Sequence, residues 1–202
     1  MPTPEKLSRD TYDGTLRIRD ALQLYFHANG FSADGGYNDK WVKFRVGPFY
    51  VIFPNIQSRV NAVRFHDIHH IVTGYRTNFV GEGEIGAWEL GSGCSHFKTA
   101  WYLNGTAFAA GVFFSPKKFL RAYVRGLHTK NLYDARAYDD TLLSKSVTEL
   151  QHELGTFQAD CEPTSSERVN FYIFSLKMWF LCGLPLLLVY TVPIFLIWRF
   201  VF

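Results

Sequence analysis

The sequence predicts a mainly α-helical fold, with one small β-hairpin and a C-terminal transmembrane helix. Three observations predict it. Apolar residues recur at helical spacing along most of the chain, and glycine or Asn-Gly pairs close those stretches. Only residues 41–53 alternate in the manner of paired strands. Residues 178–198 carry no charge at all, a run long enough to cross a hydrocarbon core of about 30 Å at about 1.5 Å per residue. A chain of 202 residues suits one compact domain with an appendage.

Residues 1–14 mix Pro, Lys, Glu, Ser, Asp and Gly and read as a flexible lead-in. A helical domain is expected over 15–155. It opens with a helix from Thr15 to Asn29, through Leu16, Ile18, Ala21, Leu22, Leu24, Tyr25 and Phe26. Turn residues fill 30–40, and the hairpin follows, turning at Gly47-Pro48. One helix should run from Gln57 or Ser58 to Thr73-Gly74. The next should start at Asn78, a good capping residue, and run through Leu90 with Glu84 and Glu89 on its exposed surface. An apolar helix spans 97–114, where Gly105, Ala109, Ala110 and Gly111 permit close packing or leave room for a lipid chain. Pro116 opens a helix to Leu127, with Lys117, Lys118, Arg121 and Arg125 on one basic side. Residues 142–154 form a last amphipathic helix. A polar linker, 156–170, leads to a tail anchor, 171–202, kinked by Pro185 and Pro193 and flanked by Arg168, Lys177 and Arg199. The expected arrangement is a single pass with the domain facing the cytoplasm.

Composition narrows the function classes. Charged residues make up 19%, below the roughly 25% of an average soluble protein, which points towards membrane contact. A formal net charge of +3, scattered along the chain, argues against nucleic acid as a partner. Cys94, Cys161 and Cys182 form no C-x-x-C pair and no even disulfide framework. The polar N-terminal stretch does not read as a secretory signal.

The chemistry concentrates at His66-Asp67-Ile68-His69-His70, with Glu82 eleven intervening residues further on. On a helix, His66 and His70 project side by side, one turn apart, and Asp67 lies at the edge of that face. A stop at Gly74 would let the chain return and bring Glu82 towards the same point. Two imidazoles and two carboxylates make a nitrogen/oxygen site for a divalent metal: His66, Asp67, His70 and Glu82. His69 points about 100° away and is expected beside the metal or facing substrate. Tyr75 and Arg76, in the loop between the ligands, could meet a substrate carboxylate or phenol, and Cys94 and His96 could line the same cavity.

His66-Asp67-x-x-His70, eleven residues, Glu82 resembles the signature of the ubiquinone-biosynthesis Coq-four family. Gly74, Thr77, Asn78, Gly81-Glu82 and Trp88 resemble that family's G-x-x-T-N-x-x-G-E run and its following tryptophan. Arg125-Gly126, Lys130-Asn131-Leu132, Tyr138-Asp139, Glu149-Leu150 and Glu153-Leu154-Gly155 resemble its C-terminal helices. The resemblance covers residues 45–155; the tail anchor departs from it. It implies a metal-dependent lyase acting on a polyprenylated aromatic head group derived from 4-hydroxybenzoate. The implied reaction removes the ring carboxylate in an oxidative decarboxylation. The same resemblance implies zinc, although the donor set also suits iron or manganese, and it implies other quinone-biosynthesis enzymes as partners.

Competing readings are fewer. A zincin needs Glu where Asp67 stands. The histidine boxes of membrane desaturases need more histidines than the seven present, and several spans. An HD-type phosphohydrolase could recruit His27 but leaves Gly81-Glu82 unexplained. The main rival is a non-catalytic, membrane-anchored prenyl-lipid-binding scaffold with a structural metal.

Overall fold

The computed structural model describes residues 12–46, 49–134, 137–157 and 162–201. In chain order the elements are α1 (Ile18–Ala28), β1 (Trp41–Val46), β2 (Phe49–Pro54), α2 (Gln57–Thr73), α3 (Phe79–Gly91), α4 (Lys98–Gly111), α5 (Pro116–Leu127), α6 (Asp140–Ser144), α7 (Val147–Leu154), α8 (Ser165–Met178), a π-helical turn (Trp179–Gly183) and α9 (Leu184–Val201). The fold is thus mainly helical with one two-stranded antiparallel sheet, as the periodicity predicts. The Gly47-Pro48 turn, the lead-in up to Thr11 and residues 158–161 of the expected linker lie outside the described residues. The chain divides into two compact units, Met1–Thr77 with Thr129–Ala159, and Asn78–His128 with Asp160–Phe202. The expected 15–155 domain contributes to both.

In the first unit α1 buries Ile18, Ala21, Leu22, Tyr25 and Phe26 and packs against α2. Its start is tied to the α6–α7 junction, where Ile18 N–H donates to Lys145 O at 2.9 Å and Val147 N–H to Leu16 O at 2.9 Å. This pairing is why α1 begins at Ile18 rather than Thr15. The hairpin runs in register Trp41↔Pro54 to Val46↔Phe49. The helix expected over 142–154 is broken into α6 and α7. Ser146 accepts from Glu149 N–H while the Glu149 carboxylate takes Ser146 N–H, and this capping box restarts the helix at Val147. α7 packs on α2, and Gln151 Nε2 donates to Val72 O at 3.3 Å.

In the second unit α3 lies against α4 and α5. Close approach is possible because glycines meet backbone: a β-carbon on Gly126 would collide with Trp88 O. Phe108, Phe119, Tyr123, Phe171 and Phe174 form a ring cluster joining α4, α5 and α8. The small residues of α4 serve packing, since a β-carbon on Gly105 would stand 2.5 Å from Met178 Cε. Three surface expectations fail here. Glu89 is fully buried and accepts from Asn104 Nδ2, Glu84 is half-buried, and Arg125 leaves the basic side of α5 for the interior. The basic side that remains exposed is Lys117, Lys118 and Arg121.

The C-terminal segment also differs in its start. Thr164 and Glu167 form a capping box, so α8 begins inside what composition reads as a linker. Phe171, Met178 and Cys182 are buried, while Val169, Tyr172, Ile173, Leu176, Phe180 and Leu181 are exposed. One helix, Ser165–Val189, is long and apolar enough to cross a membrane. Its π-helical turn sits just before Pro185, whose missing N–H interrupts the regular ladder there.

Candidate metal centre

The site is built on α2. The helix stops where expected: Gly74 takes the left-handed conformation at φ 75°, and its N–H donates to His70 O at 2.9 Å. That reversal brings the next carbonyl back over the last turn. Tyr75 O lies 2.9 Å from His70 Nδ1. A carbonyl only accepts, so Nδ1 carries the proton and Nε2 presents its lone pair. Tyr25 of α1 stacks on the same imidazole, centroids 5.6 Å apart at 25°. His70 is buried and held in one tautomer and one orientation, which is how metal-binding histidines are usually prepared.

His66, one turn earlier, faces it. Its ring is perpendicular to that of His70, and the two Nε2 atoms are 3.2 Å apart. With metal–nitrogen bonds of about 2.0–2.1 Å, two nitrogens at that separation subtend about 100–105° at a shared ion, close to a tetrahedral angle. Without an ion, the same geometry is an N–H···N hydrogen bond from His66 to His70. The donor set and the spacing therefore fit a divalent metal.

Asp67 is buried on the neighbouring face, and Tyr37 O–H donates to its Oδ2 at 2.6 Å. Burial, then the Asp67 charge, raises the Tyr37 phenol above its ordinary value, so it remains a donor at neutral pH. Burial chiefly raises Tyr138 as well, with Arg64 opposing. Burial lowers Arg59, against the pull of Asp67. Arg59 Nη1 donates to Asn55 Oδ1 at 2.8 Å.

His69 turns away from the pair. It is fully buried, and its Nε2 accepts Leu132 N–H at 2.9 Å. That nitrogen holds the 131–133 segment onto α2, a structural anchor rather than a substrate-facing position. Glu82 stands in the opening turn of α3 in the second unit and is half-buried. Asn78 caps that helix, its side chain accepting Gly81 N–H at 2.9 Å and its carbonyl Glu82 N–H at 2.8 Å. Tyr75 contributes its carbonyl, and Arg76 is exposed. His96 is also exposed, whereas Cys94 is buried against Asn104 with its thiol pushed up to about 12.

Sequence reasoning misses Tyr37, Arg59 and Arg64 around Asp67. They carry no motif, and Tyr37 comes from a turn thirty positions away. Compared with protein-family models, curated proteins and solved structures, the chain matches none.

Proposed function

We propose that His66, Asp67, His70 and Glu82, the residues of the Coq-four-like signature, hold one divalent metal, and that the protein works at a membrane surface. Its substrate in this reading is a polyprenylated aromatic head group derived from 4-hydroxybenzoate, whose ring carboxylate is lost as carbon dioxide and replaced by hydroxyl. That exchange takes an oxygen atom from an external oxidant. The observation that carries the metal is the Nε2 pair at 3.2 Å, with His70 fixed from behind by Tyr75 O. The reaction class rests on the resemblance of the H-D-x-x-H, eleven, E spacing to the Coq-four signature.

A divalent ion, zinc in the first instance and iron or manganese as alternatives, supplies Lewis-acid polarisation of the head group. The chain's own residues do the rest. Tyr75 O and the Tyr25 ring fix His70, and Tyr37 orients the Asp67 carboxylate. The apolar helix Ser165–Val189 keeps the protein at the bilayer, where a prenyl tail also resides, as a single-pass anchor with the remainder on the cytoplasmic side. Exposed Phe113 and Phe114, next to Lys117 and Lys118, suit an interface with anionic headgroups, each cation near the surface adding about 1 kcal/mol.

The test is elemental analysis of the detergent-purified full chain, prepared without chelators. Wild type should carry about one equivalent of metal, and His70→Ala less than a tenth, with its helical circular dichroism retained. A metal-free wild type overturns the proposal. A metal-loaded protein whose Glu82→Gln variant keeps full cellular quinone output favours a scaffold with a structural ion.

A further inference from the structure

Arg64, on α2, is not used by the metal reading. Its Cζ lies 5.4 Å from the ring centroid of Tyr37 and 5.3 Å from that of Tyr138. Its Nε is buried and has no hydrogen-bond acceptor among the described residues. An unsatisfied buried donor costs about 1–3 kcal/mol, more when charged, and nearly all such groups in folded proteins are partnered. The cation–π contacts account for a cation between these rings, but not for a buried Nε–H left without an acceptor. Two cation–π contacts hold the guanidinium between the rings, and a planar, two-pronged acceptor is the partner that matches a guanidinium with an unmet N–H.

We propose that Arg64, flanked by Tyr37 and Tyr138, binds the carboxylate of an aromatic acid. The charge balance selects a carboxylate over a phosphate. Tyr37 O–H is committed to the Asp67 carboxylate at 2.6 Å, so the ring against which Arg64 lies already holds a negative group. A planar monoanion matches one guanidinium fork, whereas a phosphate dianion would meet Asp67 with excess charge. Arg59, the other cation near Asp67 and Tyr37, is turned to Asn55 and to the face of Phe53, 5.8 Å from its centroid. Arg64 is therefore the cation available to the ligand. The inference rests on the proposed function for the aromatic class of ligand alone and does not need the metal.

The experiment titrates 4-fluorobenzoate and inorganic phosphate into the detergent-solubilised full chain, followed by fluorine NMR and calorimetry. Saturable benzoate binding is expected, at least tenfold tighter than phosphate. Arg64→Gln and Arg64→Lys should each weaken it at least tenfold, because lysine lacks the fork, and Tyr138→Phe severalfold. The ligand-free stability of Arg64→Met should equal or exceed that of wild type, which a purely structural arginine would not allow. Unchanged binding in both Arg64→Gln and Arg64→Lys, equally tight phosphate, or no saturable binding by wild type overturns the inference. Metal content of the same samples separates the two readings: metal retained without benzoate binding removes only this one, and benzoate bound without metal removes only the metal centre.

Discussion

Helices α2 and α8 invert the usual distribution in opposite ways. On α2, Asp67, His69, His70 and Thr73 are all buried, although polar side chains ordinarily face water. On α8, Val169, Tyr172, Ile173 and Leu176 are exposed, although large apolar groups ordinarily do not cluster outside. Each inversion has a physical explanation. The buried groups of α2 are partnered one by one: Asp67 with Tyr37, His69 with Leu132 N–H, His70 with Tyr75 O, and Thr73 with His69 O at 2.5 Å. The outer face of α8 sets these apolar groups among exposed Asn170 and Lys177, and it belongs to the helix, Ser165–Val189, that is long and apolar enough to cross a membrane. Burial of polar groups has to be matched by partners within the fold; exposure of apolar ones is matched, in the proposed function, by a bilayer.

The comparison breaks first on α8, where two adjacent residues occupy opposite faces. Phe171 is fully buried, with its ring 5.9 Å from Phe108 and 5.7 Å from Tyr123. Phe171→Ala should lose about 3–5 kcal/mol of stability through lost transfer energy and a residual cavity. Tyr172→Ala, on the exposed face, should stay within about 0.5 kcal/mol in detergent. Denaturant unfolding of both variants in the same detergent makes the measurement. Equal losses would mean that α8 does not have one packed and one medium-facing side.

On α2 the corresponding change is His69→Ala, with a smaller effect. It leaves Leu132 N–H buried without an acceptor, which costs about 1–3 kcal/mol for the amide alone. His69→Gln, able to accept through its side-chain oxygen, should recover part of that loss. Metal content should be unchanged in both, because His69 Nε2 is engaged with backbone. Loss of metal with retained stability would place His69 at the metal instead.

Local signals made the ends of α2 and α3 legible. Gly74 and Asn78 act within a few residues of themselves, and a stop or a cap needs nothing distant. The hairpin was readable for the same reason, since alternation is a local pattern. Two errors were also local and avoidable: Ser146-x-x-Glu149 and Thr164-x-x-Glu167 are capping-box signatures, and each marks a helix start that hydrophobic periodicity alone overlooks. The remaining misses were non-local. Glu89 is buried because Asn104, fifteen positions on, donates to its carboxylate. The Arg64 site needs Tyr37 and Tyr138 from either side of α2 in the chain, and no window of sequence contains all three.

The smallest expected effect tests how the turn that supplies Tyr37 is held. The Asp34 carboxylate accepts Ser32 O–H at 2.7 Å and Gly36 N–H at 3.0 Å through Oδ1, and Asn38 Nδ2 at 2.7 Å through Oδ2. These bonds, the Ser32 hydroxyl first among them, lower Asp34 from 3.8 to about 2. Because the folded value lies below the unfolded one, the turn has the full support of the carboxylate above about pH 4. That support is lost as pH falls through about 2. A carboxyl-carbon NMR titration should therefore show a wild-type midpoint near 2, rising towards 3.8 in Ser32→Ala. The Tyr37 ring signals should follow Asp34 in both proteins, since the turn that carries the ring is the one the carboxylate closes. A wild-type midpoint near 3.8 would mean that the turn is held without Asp34, and that Tyr37 is placed by Asn55 Nδ2, which donates to Gly36 O at 3.0 Å and Asp39 O at 2.9 Å, and by the Phe26 ring it meets edge-on at 5.7 Å.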